Sequence, residues 1–432
     1  MMLSIMLLTI LCPAASNNIY WHTVKDYDGQ NLLHGKTVLS NKELPLNYYN
    51  RLPASSKNTT RPSIYGLQQQ PAGMFVQFQS NSSSIHVNYT LGSSNLGMWH
   101  FPASGVSGMD AYAWDTNHQT WRWIGTSQPT YPTTVSTMTE LPAILDNNAR
   151  RHRCVAPNCP TETYRIHLCT YNRIQDNFAI GLTTKYDTFV PDASHFQSID
   201  EASIVWYGSS ILQGAVASRP GQIMTHQVSR TLETLIYNFG FSGNCLMELS
   251  VAQYLIEINP KPSLFIIDCN PNMNYTLIRD RAVPLIQFIR QNGHPTTPII
   301  MTEGTKHGTD WYSLSSRVGR YNKTRELKIA YDALIAKGDE HLYYSTSQDI
   351  YSASLGMKPE ISGDNRFLVD PTVGGTHPSD LGMRKQATYW EKKIPFVLAE
   401  DAKRTNQKLN QKLNQKLNVN VHGNVQTSAP SL

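Results

Sequence analysis

The hydrophobic pattern of this 432-residue chain changes near residue 198, and this change limits the folds open to the chain. Before it, short extended segments alternate apolar and polar residues and are separated by turn residues, as at 84–90 and 120–124. A period of two with frequent turns is typical of an antiparallel β-sandwich. After it, apolar runs such as 203–208 alternate with helical stretches such as 222–233, which predicts a parallel sheet covered by helices on both faces.

The same change sets the predicted domains. A chain of this length is expected to form two cores. We therefore predict an all-β sandwich domain at 17–197 and an α/β domain at 198–402. The remaining residues, 403–432, repeat Asn-Gln-Lys-Leu three times and then become polar, which predicts a disordered low-complexity tail.

The amino end predicts export. An apolar run from Met2 to Cys12 precedes the small residues Ala14, Ala15 and Ser16, as in a cleaved signal peptide covering 1–16. The run is shorter than a bilayer span, so no stable membrane insertion is expected. A secreted or, in a bacterium, periplasmic location follows. On a eukaryotic route, sequons would also be available for glycosylation at Asn58, Asn81, Asn88, Asn274 and Asn322.

The cysteines leave the disulfide pairing open. Five cysteines follow the signal segment, so at least one thiol stays unpaired within the chain. The close pair Cys154 and Cys159 is able to close a small loop, and zinc binding is the alternative for these two with Cys169. Because no Cys-x2-Cys pair occurs, neither a metal nor another cofactor is predicted. The net charge of +5 comes largely from the last forty residues, so no nucleic-acid partner is predicted.

Four sequence blocks follow predicted strands or precede the last helix. Gly208-Ser209-Ser210 ends the first strand of the α/β domain, and blocks at 238–244 and 268–273 end the next two. The fourth block, 374–382, contains His377. The carboxyl ends of parallel strands meet at one edge of the sheet, where ligands bind in such folds. A serine at a strand end displays its hydroxyl at this edge, which makes Ser210 a candidate nucleophile.

These blocks resemble the signature of the SGNH/GDSL hydrolases, which reads roughly Gly-Asp-Ser, Gly, Gly-x-Asn-Asp and Asp-x-x-His. Upstream, Gly108-Met-Asp-Ala-Tyr112 resembles the Gly-x-Asp-Leu-Tyr motif of a domain that precedes the hydrolase in a subgroup of secreted esterases. The resemblance covers about residues 20 to 400. It implies a three-layer α/β/α, flavodoxin-like hydrolase domain behind the sandwich, and an acyl-enzyme mechanism with Ser210 as nucleophile and His377 as its base. We expect Asp110 and Tyr112 to hold the two domains together.

The resemblance also implies an oxyanion hole. In the family its donors are the amide of the nucleophile, a glycine amide and an asparagine side chain, which acyl transfer needs for the tetrahedral oxyanion. Gly243 matches the glycine block. Asn270 has the spacing of the family motif, whereas Asn272 matches the Pro-Asn-Met sequence of the subgroup. Asn272 is the preferred oxyanion donor.

Two positions depart from the family pattern. Ser209 replaces the usual Asp before the nucleophile, and Gly374 replaces the triad Asp expected three residues before His377. A histidine without a carboxylate loses its orienting group. A backbone carbonyl is one substitute for that carboxylate, and the side-chain candidates are Asp364, Asp370 and Glu303.

The predicted substrate is a short acyl ester, chiefly acetyl, on a polysaccharide or its fragments. A lipase or thioesterase on the same machinery is one alternative, and a glycan-binding protein with a decayed active site is another. The sandwich is rich in tryptophan, and a flat indole suits a sugar ring. Stacking on sugar and burial in the core are both open for Trp99, Trp114, Trp121 and Trp123.

Overall fold

The structure is a computed structural model that describes residues 19–140, 161–192, 203–305, 310, 312–352 and 372–423. Within these residues the amino-terminal part consists of two antiparallel sheets. One has the strand order β1-β9-β4-β7, and the other has the order β10-β3-β8-β5-β6, with β2 also paired to β3. The strands are β1 (Tyr20–Thr23), β2 (Leu33–His34), β3 (Phe75–Ser80), β4 (Ser84–Thr90), β5 (Asp110–Asp115), β6 (Thr120–Thr126), β7 (Thr133–Glu140), β8 (Glu162–His167), β9 (Ala179–Leu182) and β10 (Val190–Pro191).

Alternation along these strands explains why two sheets pack together. On β4, Ile85, Val87 and Tyr89 are fully buried while the residues between them are partly exposed. Side chains of a strand point alternately to opposite faces, so this pattern buries one face against the other sheet. The sandwich predicted from the period of two is thereby confirmed.

The carboxy-terminal part contains a five-stranded parallel sheet with the order β12-β11-β13-β14-β15. Its strands are β11 (Ser203–Gly208), β12 (Leu235–Gly240), β13 (Leu264–Asp268), β14 (Ile299–Thr302) and β15 (Leu342–Ser345). A short antiparallel pair, β16 (Thr372–Val373) and β17 (His377–Pro378), precedes the last helix. The helices are α1 (Ser56–Thr59), α2 (Pro62–Leu67), α3 (Ala103–Val106), α4 (Ser210–Gln213), α5 (Met224–Leu232), α6 (Leu249–Leu255), α7 (Tyr275–Gln291), α8 (Leu314–Ala336), α9 (Ser347–Ser352) and α10 (Asp380–Gly423).

Strand β11 shows how the sheet forms the middle layer. Val205 and Tyr207 belong to the core formed with helices α6, α7 and α8, whereas Ile204 and Trp206 belong to the core formed with α5 and α10. All four side chains are fully buried, because a parallel sheet is covered on both faces. The predicted three-layer α/β/α fold is confirmed.

Helix α10 is longer than the sequence pattern predicts. The sequence predicts a disordered tail at 403–432, but the last helix continues through the Asn-Gln-Lys-Leu repeats to Gly423, and residues 424–432 lie outside the described residues. Leu, Gln and Lys are good helix formers, and leucine at every fourth residue returns to one side of a helix. Within the described part of the chain, no helix combines the length and apolar character needed to cross a membrane.

The predicted role of Asp110 as a contact between the domains is confirmed. Its fully buried carboxylate accepts hydrogen bonds from the Arg219 guanidinium at 2.6 Å and the Gly221 amide at 3.0 Å, both in the hydrolase domain. The hydroxyl of Tyr112 lies 2.8 Å from the same Arg219 nitrogen. These contacts hold the sandwich against the segment between α4 and α5. This segment follows α4, which carries the predicted nucleophile.

A second contact comes from Arg51, which is buried beside the end of β12. Its guanidinium donates to the carbonyl oxygens of Asn238 at 3.0 Å and Gly240 at 2.7 Å. Burial lowers the pKa of Arg51 to about 9. Because β12 leads into the block that contains Gly243, the amino-terminal segment supports one side of the predicted site.

Candidate active site

The structure brings Ser210 and His377 together. The hydroxyl Oγ of Ser210 lies 2.9 Å from Nε2 of His377, although 167 residues separate them in the sequence. Ser210 is the first residue of α4, at the carboxyl end of β11, and His377 begins β17. This distance is within the reach that a base needs to remove a serine proton.

The turn that carries Ser210 is shaped by its neighbours. The side chain of Ser209 caps α4 by accepting a hydrogen bond from the Ile211 amide at 3.3 Å. The residue that replaces the family Asp therefore keeps a capping role. Helix α4 also packs closely on β12, because a Cβ at Gly240 would lie 2.2 Å from the Gln213 nitrogen. Glycine at the end of β12 thus allows the nucleophile turn to approach the sheet.

Gly243 lies in the loop after β12, where the sequence places the oxyanion glycine. It is exposed and has a φ of +68°, a conformation that favours glycine. Among the described backbone hydrogen bonds outside helices and strands, none uses the Gly243 amide. An exposed loop amide of this kind is suited to a bound oxyanion.

The two candidate asparagines differ in burial and in contacts. Oδ1 of Asn272 accepts from the Cys245 amide at 3.4 Å, so the Asn272 side chain is oriented beside the loop that contains Gly243. Asn270 is only 2% exposed, and its Nδ2 is buried without a hydrogen-bond partner among the described residues. Asn272 is half-buried, and the choice of Asn272 over Asn270 stays a prediction.

A disulfide joins these two loops. Cys245, two residues after Gly243, is bonded to Cys269, three residues before Asn272. The sequence had left the pairing open. Of the other cysteines, Cys169 is a buried thiol whose pKa burial raises to about 12, and Cys154 and Cys159 lie outside the described residues. The described residues hold no group of three His, Cys, Asp or Glu side chains placed to bind a metal.

Two residues that support the site were not predicted from the sequence. Gln213 is buried, and its side-chain oxygen accepts from the Ser242 amide at 2.9 Å while its nitrogen donates to the Thr170 carbonyl at 3.1 Å. Tyr171 donates its hydroxyl proton to the Ser210 carbonyl at 3.2 Å. Both contacts link the sandwich to the candidate site, and the only sequence signal was the Gln in the block that begins at Gly208.

Asp380 connects the histidine segment to the nucleophile segment. Its carboxylate accepts from the Ser218 amide at 2.8 Å and from the Ser218 hydroxyl. Asp380 is the first residue of α10, three residues after His377. The Asp of the His-Pro-Ser-Asp motif therefore holds the start of α10 against the loop that follows α4.

The structure explains why position 374 is glycine. Val373 pairs with His377 across the β16–β17 hairpin, and Gly374 and Gly375 form its turn with φ values of +67° and +76°. These positive φ values favour glycine over an aspartate. The position that carries the triad Asp in the family is here part of a tight turn.

Of the three candidate acids, only Glu303 lies among the described residues, and its carboxylate is bonded to β15 and to the segment after it. Its carboxylate accepts from the Tyr344 hydroxyl at 3.1 Å and the Ser347 amide at 2.8 Å, on the β15 side of the sheet. Glu303 therefore serves as an anchor for the segment after β15. Asp364 and Asp370 lie outside the described residues.

The tryptophans and sequons divide by exposure. Trp114 and Trp121 are buried and pack edge to face, whereas Trp99 is 88% exposed and Trp123 is 52% exposed.

Asn81 is buried and accepts from the backbone of Thr188, so this sequon is closed to a glycan in the folded protein. The sequon asparagines Asn58 and Asn274 are exposed. Asn274 also caps helix α7, because its side chain accepts a hydrogen bond from the Leu277 amide.

A cleft of about 500 Å³ lies between the two domains, at a different place from the Ser210–His377 contact. It is lined by Trp123 and by three arginines of the hydrolase domain, and neither Ser210 nor His377 is among the described residues that line it. The cleft therefore adds nothing to the acyl-transfer geometry.

Known families match both parts of the chain. Residues 201–395 match the GDSL-like Lipase/Acylhydrolase family. Residues 19–187 match the GxDLY model, described as the N-terminus of Esterase_SGNH_hydro-type. No protein among the curated sequences matches this chain.

Two solved structures are similar over nearly the whole chain. One is described as a GDSL-like lipase from Bacteroides ovatus; it is 26% identical, with a TM-score of 0.72, and the match covers 88% of this chain and 98% of that one. The other is the salicylyl-acyltransferase SsfX3 of a tetracycline biosynthetic pathway; it is 14% identical, with a TM-score of 0.59, and the match covers 91% of this chain and 98% of that one. The second likeness concerns the fold alone.

The matched ranges coincide with the sandwich and the parallel-sheet parts described above. The chain therefore belongs to the GDSL-like lipase/acylhydrolase (SGNH hydrolase) family of esterases and acylhydrolases, and carries the GxDLY domain in front of the hydrolase.

Proposed function

We propose that this protein is a serine esterase that removes short acyl groups, chiefly acetyl, from carbohydrates. The observation that carries the proposal is the 2.9 Å contact between the Ser210 hydroxyl and Nε2 of His377. A glycan-binding protein with a decayed site has no need of this contact, so the intact pair favours catalysis. Family membership supports an ester substrate.

In the first step, Oγ of Ser210 attacks the ester carbonyl carbon while its proton passes to Nε2 of His377. The carbonyl oxygen becomes an oxyanion, for which the Gly243 amide and the Asn272 side-chain amide are the proposed donors. The tetrahedral intermediate then collapses, the bond to the alcohol oxygen breaks, and protonated His377 gives its proton to that oxygen. The products are a free alcohol and an acyl ester of Ser210.

In the second step, His377 removes a proton from water, and the resulting hydroxide attacks the acyl carbon. Collapse of this second intermediate returns the proton to Ser210 and releases the carboxylic acid. Preorganised donors lower both barriers, and one such donor is worth about 10²- to 10³-fold in kcat. Asp364, Asp370 and a backbone carbonyl remain the proposed partners that orient His377.

The serine mechanism is tested by covalent labelling. We expect a fluorophosphonate to label the wild-type protein at Ser210, and both Ser210→Ala and His377→Ala to abolish labelling and hydrolysis of 4-nitrophenyl acetate. Because no metal takes part, a chelator should leave the rate unchanged. A wild-type protein that is folded but unlabelled would instead support the glycan-binding alternative.

The acyl and alcohol preferences need a separate experiment. We expect release of acetate from acetylated xylan and rapid hydrolysis of 4-nitrophenyl acetate, with much slower hydrolysis of the dodecanoate ester. A preference for the long-chain ester, with acetylated xylan untouched, would favour the lipase alternative over a carbohydrate esterase.

We also propose that the protein is exported. The leader-like pattern of residues 1–16 and the Cys245–Cys269 disulfide support an oxidising compartment. Mass spectrometry of the mature amino terminus tests this, since export with cleavage predicts a chain that begins near residue 17. An intact Met1 in the protein recovered from cells and medium would contradict it.

A further inference from the structure

A tight turn of the sandwich domain reaches the candidate active site. The backbone of Met98 and Phe101 closes the turn with two hydrogen bonds, from the Met98 amide at 2.8 Å and from the Phe101 amide at 3.1 Å. Trp99 and His100 occupy the two central positions. Because both ends are bonded to each other, the turn presents these two side chains in a fixed direction.

The turn is anchored to the nucleophile segment. Phe101 is buried and packs edge to face on Tyr171, with ring centroids 5.2 Å apart. The Tyr171 hydroxyl in turn donates to the Ser210 carbonyl at 3.2 Å. Two consecutive packed contacts therefore set the distance between the turn and Ser210, so the turn belongs to the preorganised part of the site.

Trp99 is exposed at the rim of the catalytic pair. Its ring packs against the His100 ring at a tilt of 36°, with centroids 4.4 Å apart, and the His100 ring lies 5.9 Å from the His377 ring. The Trp99 side chain is nevertheless 88% exposed, whereas tryptophan is highly buried on average. Nδ1 of His100 is also buried without a hydrogen-bond partner among the described residues, which calls for a further group at this place.

The position of Trp99 indicates which part of an ester it meets. His377 protonates the departing alcohol oxygen, so groups on the His377 side of Ser210 contact the alcohol part of the substrate. The carbonyl oxygen points instead to the side of Gly243 and Asn272. Trp99 lies on the His377 side through His100, and it is therefore placed to contact the alcohol.

From this geometry we infer that Trp99 is a platform on which the pyranose ring of the acylated sugar stacks. The inference rests on the proposed esterase function and adds the residue that recognises the sugar on the leaving-group side. A pyranose has a flat face of C–H groups that covers an indole while its hydroxyls stay in water. The exposed face of Trp99 offers such a surface beside the catalytic histidine.

The test compares two acetyl esters that differ in the alcohol. One is a methyl xylopyranoside carrying a single acetyl group, and the other is ethyl acetate, which has no ring; acetate release is followed with a pH-stat. We expect Trp99→Ala to lower the ratio of kcat/KM for the xyloside to kcat/KM for ethyl acetate about tenfold. Trp99→Phe, which keeps an aromatic face, should restore most of the ratio.

Tyr186→Ala serves as the matched control, because Tyr186 is 71% exposed and shares no described contact with the catalytic pair. It should leave both rates unchanged. Since Trp99 is mostly exposed, its variant should keep the circular dichroism spectrum of the wild type. This comparison separates the loss of an exposed ring from the loss of the fold.

Three outcomes overturn the inference. One is an unchanged ratio in Trp99→Ala. Another is a Trp99→Ala variant whose kcat/KM falls only for ethyl benzoate, an ester with an aromatic acyl group, because this would place Trp99 on the acyl side. The third is a wild-type enzyme that cleaves ethyl acetate but not the xyloside, which leaves an esterase without sugar recognition. Failure of the wild type on all of these esters would refute the proposed function itself.

Discussion

Removal of the Cys245–Cys269 disulfide is expected to weaken both the fold and the activity. The two cysteines are 24 residues apart in sequence, so the bond closes a loop of about 25 residues. In the chain-entropy description, a cross-link of this size stabilises the folded state by about 3.5 kcal/mol, because it restricts the unfolded chain. We expect Cys245→Ala with Cys269→Ala to lower the free energy of unfolding by about this amount, in addition to the effect of side-chain truncation.

Activity should fall for a separate reason. The disulfide holds the loop of Gly243 next to the turn of Asn272, where the Cys245 amide already donates to Asn272 at 3.4 Å. Misplacement of oxyanion donors lowers the transition-state stabilisation more than the binding of the ground-state ester. We therefore expect kcat for 4-nitrophenyl acetate to fall about tenfold with little change in KM.

The assays are a guanidinium titration followed by circular dichroism, and steady-state kinetics well below the midpoint of unfolding. Cys169→Ala is the matched control, since it truncates a buried cysteine outside the disulfide. The reasoning is refuted if the double variant loses no more stability than two such truncations account for, or if its kcat equals that of the wild type.

Two other predictions concern the domain interface. Asp110→Ala leaves the Arg219 side chain without its carboxylate partner, so the free energy of unfolding measured by denaturant titration should fall by about 3–5 kcal/mol. Asp110→Asn should lose less stability, and equal losses in the two variants would contradict the charge argument. Burial lowers the pKa of His226 to about 3, so below pH 6.5 the unfolded chain binds a proton that the folded chain does not. The free energy of unfolding should therefore decrease as the pH falls from 6.5 toward 3. In urea titrations at a series of pH values, His226→Asn should reduce the slope of this free energy against pH by about 1.4 kcal/mol per pH unit. An unchanged slope would assign the pH dependence to other groups.

The fold was predictable because it depends on local periodicity. The period of two at 84–90 gives strand β4, and the apolar run at 203–208 gives strand β11 with the same bounds. That Ser210 and His377 meet was predictable because each lies in a motif at a strand end or helix start; their catalytic roles stay predictions. The extension of α10 to Gly423 was missed, because a repeat of helix-forming residues with few apolar side chains also suits a disordered tail.

The sequence by itself determined the two-domain class, the catalytic motifs and their order along the chain. Only the tertiary structure decided which residues meet: that Cys245 pairs with Cys269, that Gln213 and Tyr171 connect the sandwich to the nucleophile turn, and that Glu303 accepts from Tyr344 and Ser347. The physical reason is that periodicity and turn chemistry act between near neighbours, whereas each of these contacts depends on where distant segments pack. Trp99 shows the difference best, since its sequence context allowed both core and surface. Only the packing of its turn placed it against His100, whose ring lies 5.9 Å from the His377 ring.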